Sequence, residues 1–357
     1  MTYAVPPEIG SEFHWDPAAL TAGGDDWLPA RRELFATGSG ALGALLRRLR
    51  PRGRVHFPSY FCMGVVEALS ADVPIAWYRH LPDSGGPVWP TLRALPGDVV
   101  LAQNLFGRDD GSRWDAWREA HRGVTVVEDH SHDPLSDWAR HSRAPFAIAS
   151  LRKTLPVPDG GLLWSPCGLQ TPEPEGGESE GAHLKLAAML LKSAWLDGRP
   201  VPKDGFRALQ QRGEHTLLCS PGPASAFTAA VLPLLDAAGL RRKGIENARA
   251  LPAHGDGWRL VGAGPFRAQL VCESESIRDD LLRHLAAHGI YAPVHWRQDR
   301  AGLWSGDDEG AGLAARMLTI PADHRCSAAD VRRIVSVLRA FHGSAEARPA
   351  ASPAPAA

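Results

Sequence analysis

Apolar and polar positions along the chain follow two alternating rhythms. Apolar runs at 54–57, 74–78, 98–103, 124–128, 145–150 and 161–164 have the length of buried strands. Between them lie stretches with helical spacing. Leu42, Leu45, Leu46 and Leu49 form one apolar face after Gly38-Ser39-Gly40, with Ser39 the expected N-cap. Further helices are expected at 61–70 and at 112–121, where Trp114, Trp117 and His121 share a face. Strands alternating with helices predict an α/β fold with a mostly parallel sheet and helices on both faces. In such sheets ligands sit at the carboxyl ends of strands.

The rhythm changes after position 165. Residues 166–182 are rich in Gly, Pro and Glu and read as an exposed loop. Helical spacing resumes at 183–197 and at 224–250, the second interrupted by Pro233. Gly and Pro cluster again over 251–265. Then come a strand (266–272), a helix (276–288), a strand (290–296) and a last helix near 327–341 whose apolar face is Val331, Ile334, Val335 and Leu338. The expected division is an irregular segment 1–30, a large domain 31–250, a small α+β C-terminal domain 251–342, and a disordered Ala/Pro/Ser tail 343–357.

Composition narrows the class. The 357 residues carry 39 Lys plus Arg against 40 Asp plus Glu, a net charge of −1, which argues against a generic nucleic-acid binder. Five scattered cysteines give neither a disulfide framework nor a zinc pattern, and suit a reducing compartment. No run of about 18 apolar residues and no signal-like start is present, so a cytoplasmic protein with no membrane partner is expected. Only five of the basic residues are lysines: Lys153, Lys185, Lys192, Lys203 and Lys243. Arginine-favouring codon usage explains the total, and four of the five read as dispensable charges. Lys153 differs, because it follows the buried run Phe146-Ala147-Ile148-Ala149.

Several features carry candidate chemistry. Gly38-Ser39-Gly40-Ala41 opens a helix, where free N–H groups and a positive dipole bind phosphate. Glu128-Asp129-His130-Ser131-His132-Asp133 ends a buried strand. It permits a metal site at Asp129, His130 and His132, a buried aspartate holding a cation, or plain turn hydrogen bonds. Ser150-Leu151-Arg152-Lys153 places a lysine beside an arginine after an apolar strand, a setting in which an amine forms Schiff bases.

Taken in order, these segments resemble the fold-type I pyridoxal-phosphate enzymes, and within them the DegT/DnrJ/EryC1/StrS aminotransferases. The matching segments are Gly38 to Ala41, Phe57-Pro58-Ser59-Tyr60, Glu128 to His132, Ser150 to Lys153, and Gly160-Gly161. Gly289-Ile290-Tyr291 to Trp296 and Leu318-Thr319-Ile320-Pro321 agree as well, so the likeness runs over about 30–340. The resemblance implies pyridoxal 5'-phosphate as cofactor, with Lys153 as the internal aldimine lysine and proton carrier. It implies Asp129 on the pyridine nitrogen, with His132, and less directly Asn104, on the phenolic oxygen. Ser39, Gly40, Ala41 and Ser150 would hold the phosphate, and Tyr60, Phe61 or Cys62 would lie near the ring face. An amino donor, a keto acceptor (a nucleotide keto-sugar or small keto acid) and a homodimer are further implications. Arg267 and Arg297 are candidates for a substrate carboxylate.

Two departures from the family stand out. Cysteine falls where an aromatic residue usually faces the ring. Ser220-Pro221-Gly222 stands where the family has an asparagine segment that crosses a dimer. Other readings are a lyase or decarboxylase on the same scaffold, a metal-dependent hydrolase, and a catalytically silent cofactor-binding relative.

Overall fold

The computed structural model describes residues 8–21, 27–218, 220–265, 267–296 and 305–342. The expected tail 343–357 and Arg297 lie outside them. The strands are β1 (Ile9–Gly10), β2 (Arg32–Phe35), β3 (Val55–Pro58), β4 (Ile75–Tyr78), β5 (Val99–Gln103), β6 (Thr125–Asp129), β7 (Phe146–Ser150), β8 (Gly161–Trp164), β9 (His254–Gly255), β10 (Trp258–Ala263), β11 (Arg267–Cys272), β12 (Ile290–Tyr291) and β13 (Met317–Pro321). The helices are α1 (Gly38–Leu49), α2 (Met63–Leu69), α3 (Ser112–Ala120), α4 (Asp137–Arg140), α5 (Glu180–Leu196), α6 (Lys203–Leu217), α7 (Ala226–Val231), α8 (Ala237–Arg249), α9 (Glu275–Ala287), α10 (Asp308–Arg316) and α11 (Ala328–Ala340).

The central sheet has the order β2-β8-β7-β6-β5-β3-β4. Strands β7, β6, β5, β3 and β4 run parallel, and β8 is antiparallel to both neighbours. Side-chain alternation sorts the strand residues onto two faces. Leu101, Val127 and Ile148 join Leu42, Leu45 and Leu46 of α1 in one core. Val100, Ala102 and Val126 pack with Trp114 and Trp138 on the opposite face. The expected sheet with helices on both faces is therefore present, and all six of its anticipated strands lie within a residue or so of their apolar runs.

The reversal at β8 sets the position of Lys153. Only residues 151–160 join β7 to β8, too few for a helical crossover to a parallel strand. The chain turns back instead, Ser150 pairs with Gly161, and Lys153 lies on the connecting turn.

A second sheet, ordered β13-β11-β10-β9, is antiparallel and backed by α9 and α11. The expected boundary near 250 falls at the end of a shared helix. Ala237 of α8 sits in a core of the first sheet, and Ala248 sits in the core of the second. Three expectations shift. The strand at 290–296 is regular only over Ile290–Tyr291, which pairs with β1, so the irregular N-terminal segment supplies a strand and buries Ile9. Helices α4, α6 and α10 and strands β2, β9, β10 and β13 went unpredicted. Helix α6 does carry a buried face of Phe206, Gly213 and Leu217, which sequence reasoning passed over, while β2 fully buries only Phe35.

Candidate active site

The last residues of β6 and β7, Asp129 and Ser150, line a cavity of about 930 Å³. Its walls include Gly38, Ser39, Asp129, Ser150, Lys153 and Arg267, six positions picked out in the sequence.

The start of α1 is capped by Thr37, not by Ser39 as expected. The Gly40 N–H donates to Thr37 Oγ1 at 2.9 Å, and the Ala41 N–H donates to the Thr37 carbonyl at 3.0 Å. Those two N–H groups bond to Thr37, and Gly40 and Ala41 do not line the cavity. Gly38 and Ser39, in the first turn of α1, are the residues of this segment that line the cavity. Glycine is required by close packing here. A Cβ on Gly38 would press on Ser150, and one on Gly40 would run into the Ser220 carbonyl. The segment Ser220–Gly222 thus packs against its own chain's α1, and Ala36 N–H donates to Gly222 O at 2.9 Å.

Asp129 closes β6 and is buried (4% exposed). One carboxylate oxygen accepts from Ser131 N–H at 2.9 Å. Ser131 Oγ in turn accepts from Ser150 N–H at 2.9 Å, which ties the ends of β6 and β7 together. Lys153 Nζ lies 5.6 Å from the centre of the Trp296 ring and has no carboxylate partner among the described residues.

Three predicted residues stand one layer back. His132 Nδ1 accepts from Phe106 N–H at 3.0 Å, and its ring stacks on Phe106 and Trp296. Burial first, then Lys153, His295 and Arg267, push its pKa well below the usual histidine range, so the ring is neutral at physiological pH. Tyr60 is fully buried and donates to the His295 carbonyl. Asn104 spans a turn, its amide donating to Ser136 Oγ at 3.2 Å and accepting from Asp109 N–H at 3.2 Å. Phe61 and Cys62 both reach the wall.

The metal reading fails on geometry. His130 Nε2 pairs with Glu128 Oε2 at 3.0 Å and meets Trp138 edge-on, whereas Asp129 faces the cavity and His132 stacks elsewhere. Among the described residues no three His, Cys, Asp or Glu side chains converge.

Sequence reasoning missed the N-terminal segment and α6. Glu8, Gly10, Ser11, Glu12 and Phe13 line the cavity, as do Lys203, Arg207, Gln210 and Glu214 of α6. The lysines that read as dispensable hold these parts together. Lys185 and Lys192 are 4% and 2% exposed. Lys192 Nζ donates to Ser11 Oγ and the Glu12 carbonyl, both at 2.6 Å, and lies 3.3 Å from Glu8. Lys203 pairs with Glu8 at 2.6 Å.

Comparison with solved structures places this fold. It is the fold of sugar aminotransferases of the DegT/DnrJ/EryC1/StrS type. A DesI structure with its TDP-sugar product matches at 17% identity over 87% of this chain and 80% of that one, with a TM-score of 0.58. A DegT DnrJ EryC1 StrS aminotransferase from Brucella abortus matches at 17% identity over 88% and 86%, with a TM-score of 0.56. The sugar aminotransferase CalS13 from Micromonospora echinospora matches at 16% identity over 86% of both chains, with a TM-score of 0.54. No protein-family model matches the chain, and neither does any curated protein sequence. Among the described residues no helix is long and apolar enough to cross a membrane.

Proposed function

We propose that the protein is a pyridoxal-phosphate-dependent aminotransferase with Lys153 as the covalent anchor of the cofactor. The observation that carries this reading is the convergence of Lys153, Asp129, Ser150 and the α1 start on one cavity. The residues fit the cofactor. Gly38 and Ser39 at the start of α1 offer N–H groups to a phosphate, and Ser39 and Ser150 add hydroxyls. Asp129 stands ready for a cationic ring nitrogen. The amine of Lys153 is free to bond a carbonyl carbon and to carry a proton. Bound there, pyridoxal phosphate supplies an electron sink for charge on the substrate's α-carbon.

Neutral His132 accepts from Phe106 N–H and stacks on Trp296, which suits it to hold that ring in place at the cavity wall. Arg267, half-buried at the wall, is assigned to a substrate carboxylate. A cavity of about 930 Å³ accommodates a cofactor and a second molecule together. The solved neighbours include a sugar aminotransferase and an enzyme bound to its TDP-sugar product, which supports a nucleotide keto-sugar over a small keto acid as acceptor. A homodimer in the cytoplasm and a cofactor-binding unit over 31–250 complete the proposal.

The test begins with the visible spectrum. Purified protein loaded with pyridoxal phosphate turns yellow, hydroxylamine bleaches it, and Lys153→Ala, still folded by circular dichroism, loses the band. An unchanged band in that variant refutes the anchor. Bleaching by single amino donors, restored by a keto acceptor, then separates transamination from lyase chemistry and from silent binding.

A further inference from the structure

Arg152 and Lys153 are neighbours in sequence but have opposite environments. The Arg152 guanidinium makes two parallel bonds to Glu214 of α6, Nη1 to Oε2 and Nη2 to Oε1, both 2.7 Å. The same Glu214 Oε2 accepts from Lys185 of α5 at 2.7 Å, and Lys185 Nζ lies 3.4 Å from Glu12. Close packing of α5 on α6 makes the cluster possible. A Cβ on Gly213 would sit 2.6 Å from Lys185 Cγ, so only glycine lets the helices approach this far. Burial alone would raise the Glu214 carboxyl, but Arg152 and Lys185 outweigh it and bring it down to about 2.

Lys153 shares its cavity with charges of both signs. Arg152 precedes it, His295 and His132 both feel its charge, and Arg267 acts on the same two histidines. The carboxylates on the same cavity wall are Asp129, Glu8, Glu12, Glu214 and Asp323, and none of them pairs with Lys153 among the described residues. An unneutralised guanidinium one residue away would disfavour any positive charge on the Lys153 nitrogen.

We propose that Glu214 is a positioning residue for Lys153. It clamps the 151–153 turn to α6 through Arg152, and it cancels the charge of Arg152 so that the Lys153 nitrogen keeps its proton when the cofactor is bound. It also holds Lys185 as a paired ammonium, which leaves Lys153 the reactive amine. This inference rests on Lys153 as cofactor anchor.

The test tracks the pH midpoint of the visible band in cofactor-loaded protein, which reports protonation at the Lys153 nitrogen. Glu214→Gln is expected to lower that midpoint by about one pH unit, the size of one unscreened charge several ångströms away. Arg152→Gln removes a cation and is expected to raise it. The double variant returns it close to the wild-type value, and Glu214→Asp recovers part of the shift. A role in stability alone would lower the melting temperature of these variants without moving the midpoint in opposite directions. An unchanged midpoint in Glu214→Gln, or shifts of the same sign in both single variants, overturns the proposal. If Glu214→Gln does not fold, Arg152→Gln and the double variant decide it by the same comparison. Retention of the band in Lys153→Ala would instead refute the anchor reading on which the inference rests.

Discussion

Thr37→Ala isolates what the turn before α1 contributes. Thr37 is 2% exposed, and its hydroxyl accepts the Gly40 N–H at 2.9 Å while contacting Ser39 Oγ at 3.1 Å. Loss of an N-cap hydroxyl costs about 1 kcal/mol. Loss of one buried methyl costs about 0.8 kcal/mol more. The alanine variant should therefore lose about 2 kcal/mol. Thr37→Ser keeps the cap and should lose only about 1 kcal/mol. Guanidinium unfolding of cofactor-free protein, followed by tryptophan fluorescence, measures both. The hydroxyl also fixes the turn that presents Gly38 and Ser39 to the cavity. Pyridoxal-phosphate affinity should accordingly fall about tenfold in the alanine variant, the equivalent of ~1.4 kcal/mol, and stay near wild type in the serine variant. Equal losses in the two variants, or an alanine variant as stable as wild type, would refute the assignment of Thr37 as the cap that organises the site.

Two further outcomes are expected from the same geometry. Asp129→Asn should still colour with cofactor, since the lysine remains, yet its half-reaction with amino donors should slow by roughly a hundredfold or more once the ring nitrogen loses its counter-charge; rapid-mixing absorbance measures this. Lys192 is held at about 8 in the folded protein by burial first and then by Arg325, with Glu8 and Glu12 opposing. Its folded pKa lies below the unfolded value, so between about pH 8 and the unfolded lysine value of ~10.4 the unfolded chain binds more protons at this position. The stability of wild type relative to Lys192→Met should rise over that window, and urea midpoints at pH 7.5 and 9.5 compare them. A difference that falls with pH would contradict the burial of this ammonium.

The strands of the central sheet were legible because each is buried on both faces and reads as a continuous apolar run. Lys153 became a candidate for a related reason, since a rare lysine on the turn after such a run is conspicuous. The cap was misread by two residues. Thr37, Ser39 and two glycines all suit a helix start, and the choice depends on which hydroxyl reaches the Gly40 N–H. His130 and His132 looked equivalent along the chain, yet a turn sends one to Glu128 and the other onto Phe106 and Trp296.

Local pattern alone determined the alternation of strands and helices, the strand ends that carry Asp129 and Ser150, and the candidacy of Lys153. These depend on side-chain period and burial, which are written into neighbouring residues. The tertiary structure decided which charges cancel. Glu214 lies 62 residues from Arg152 in the chain, and Ser11 lies 181 from Lys192. Pairings over such separations arise only when helix packing and the returning N-terminal segment bring the partners together. For that reason the lysines that seemed expendable in the sequence became, in the fold, part of what shapes the cavity.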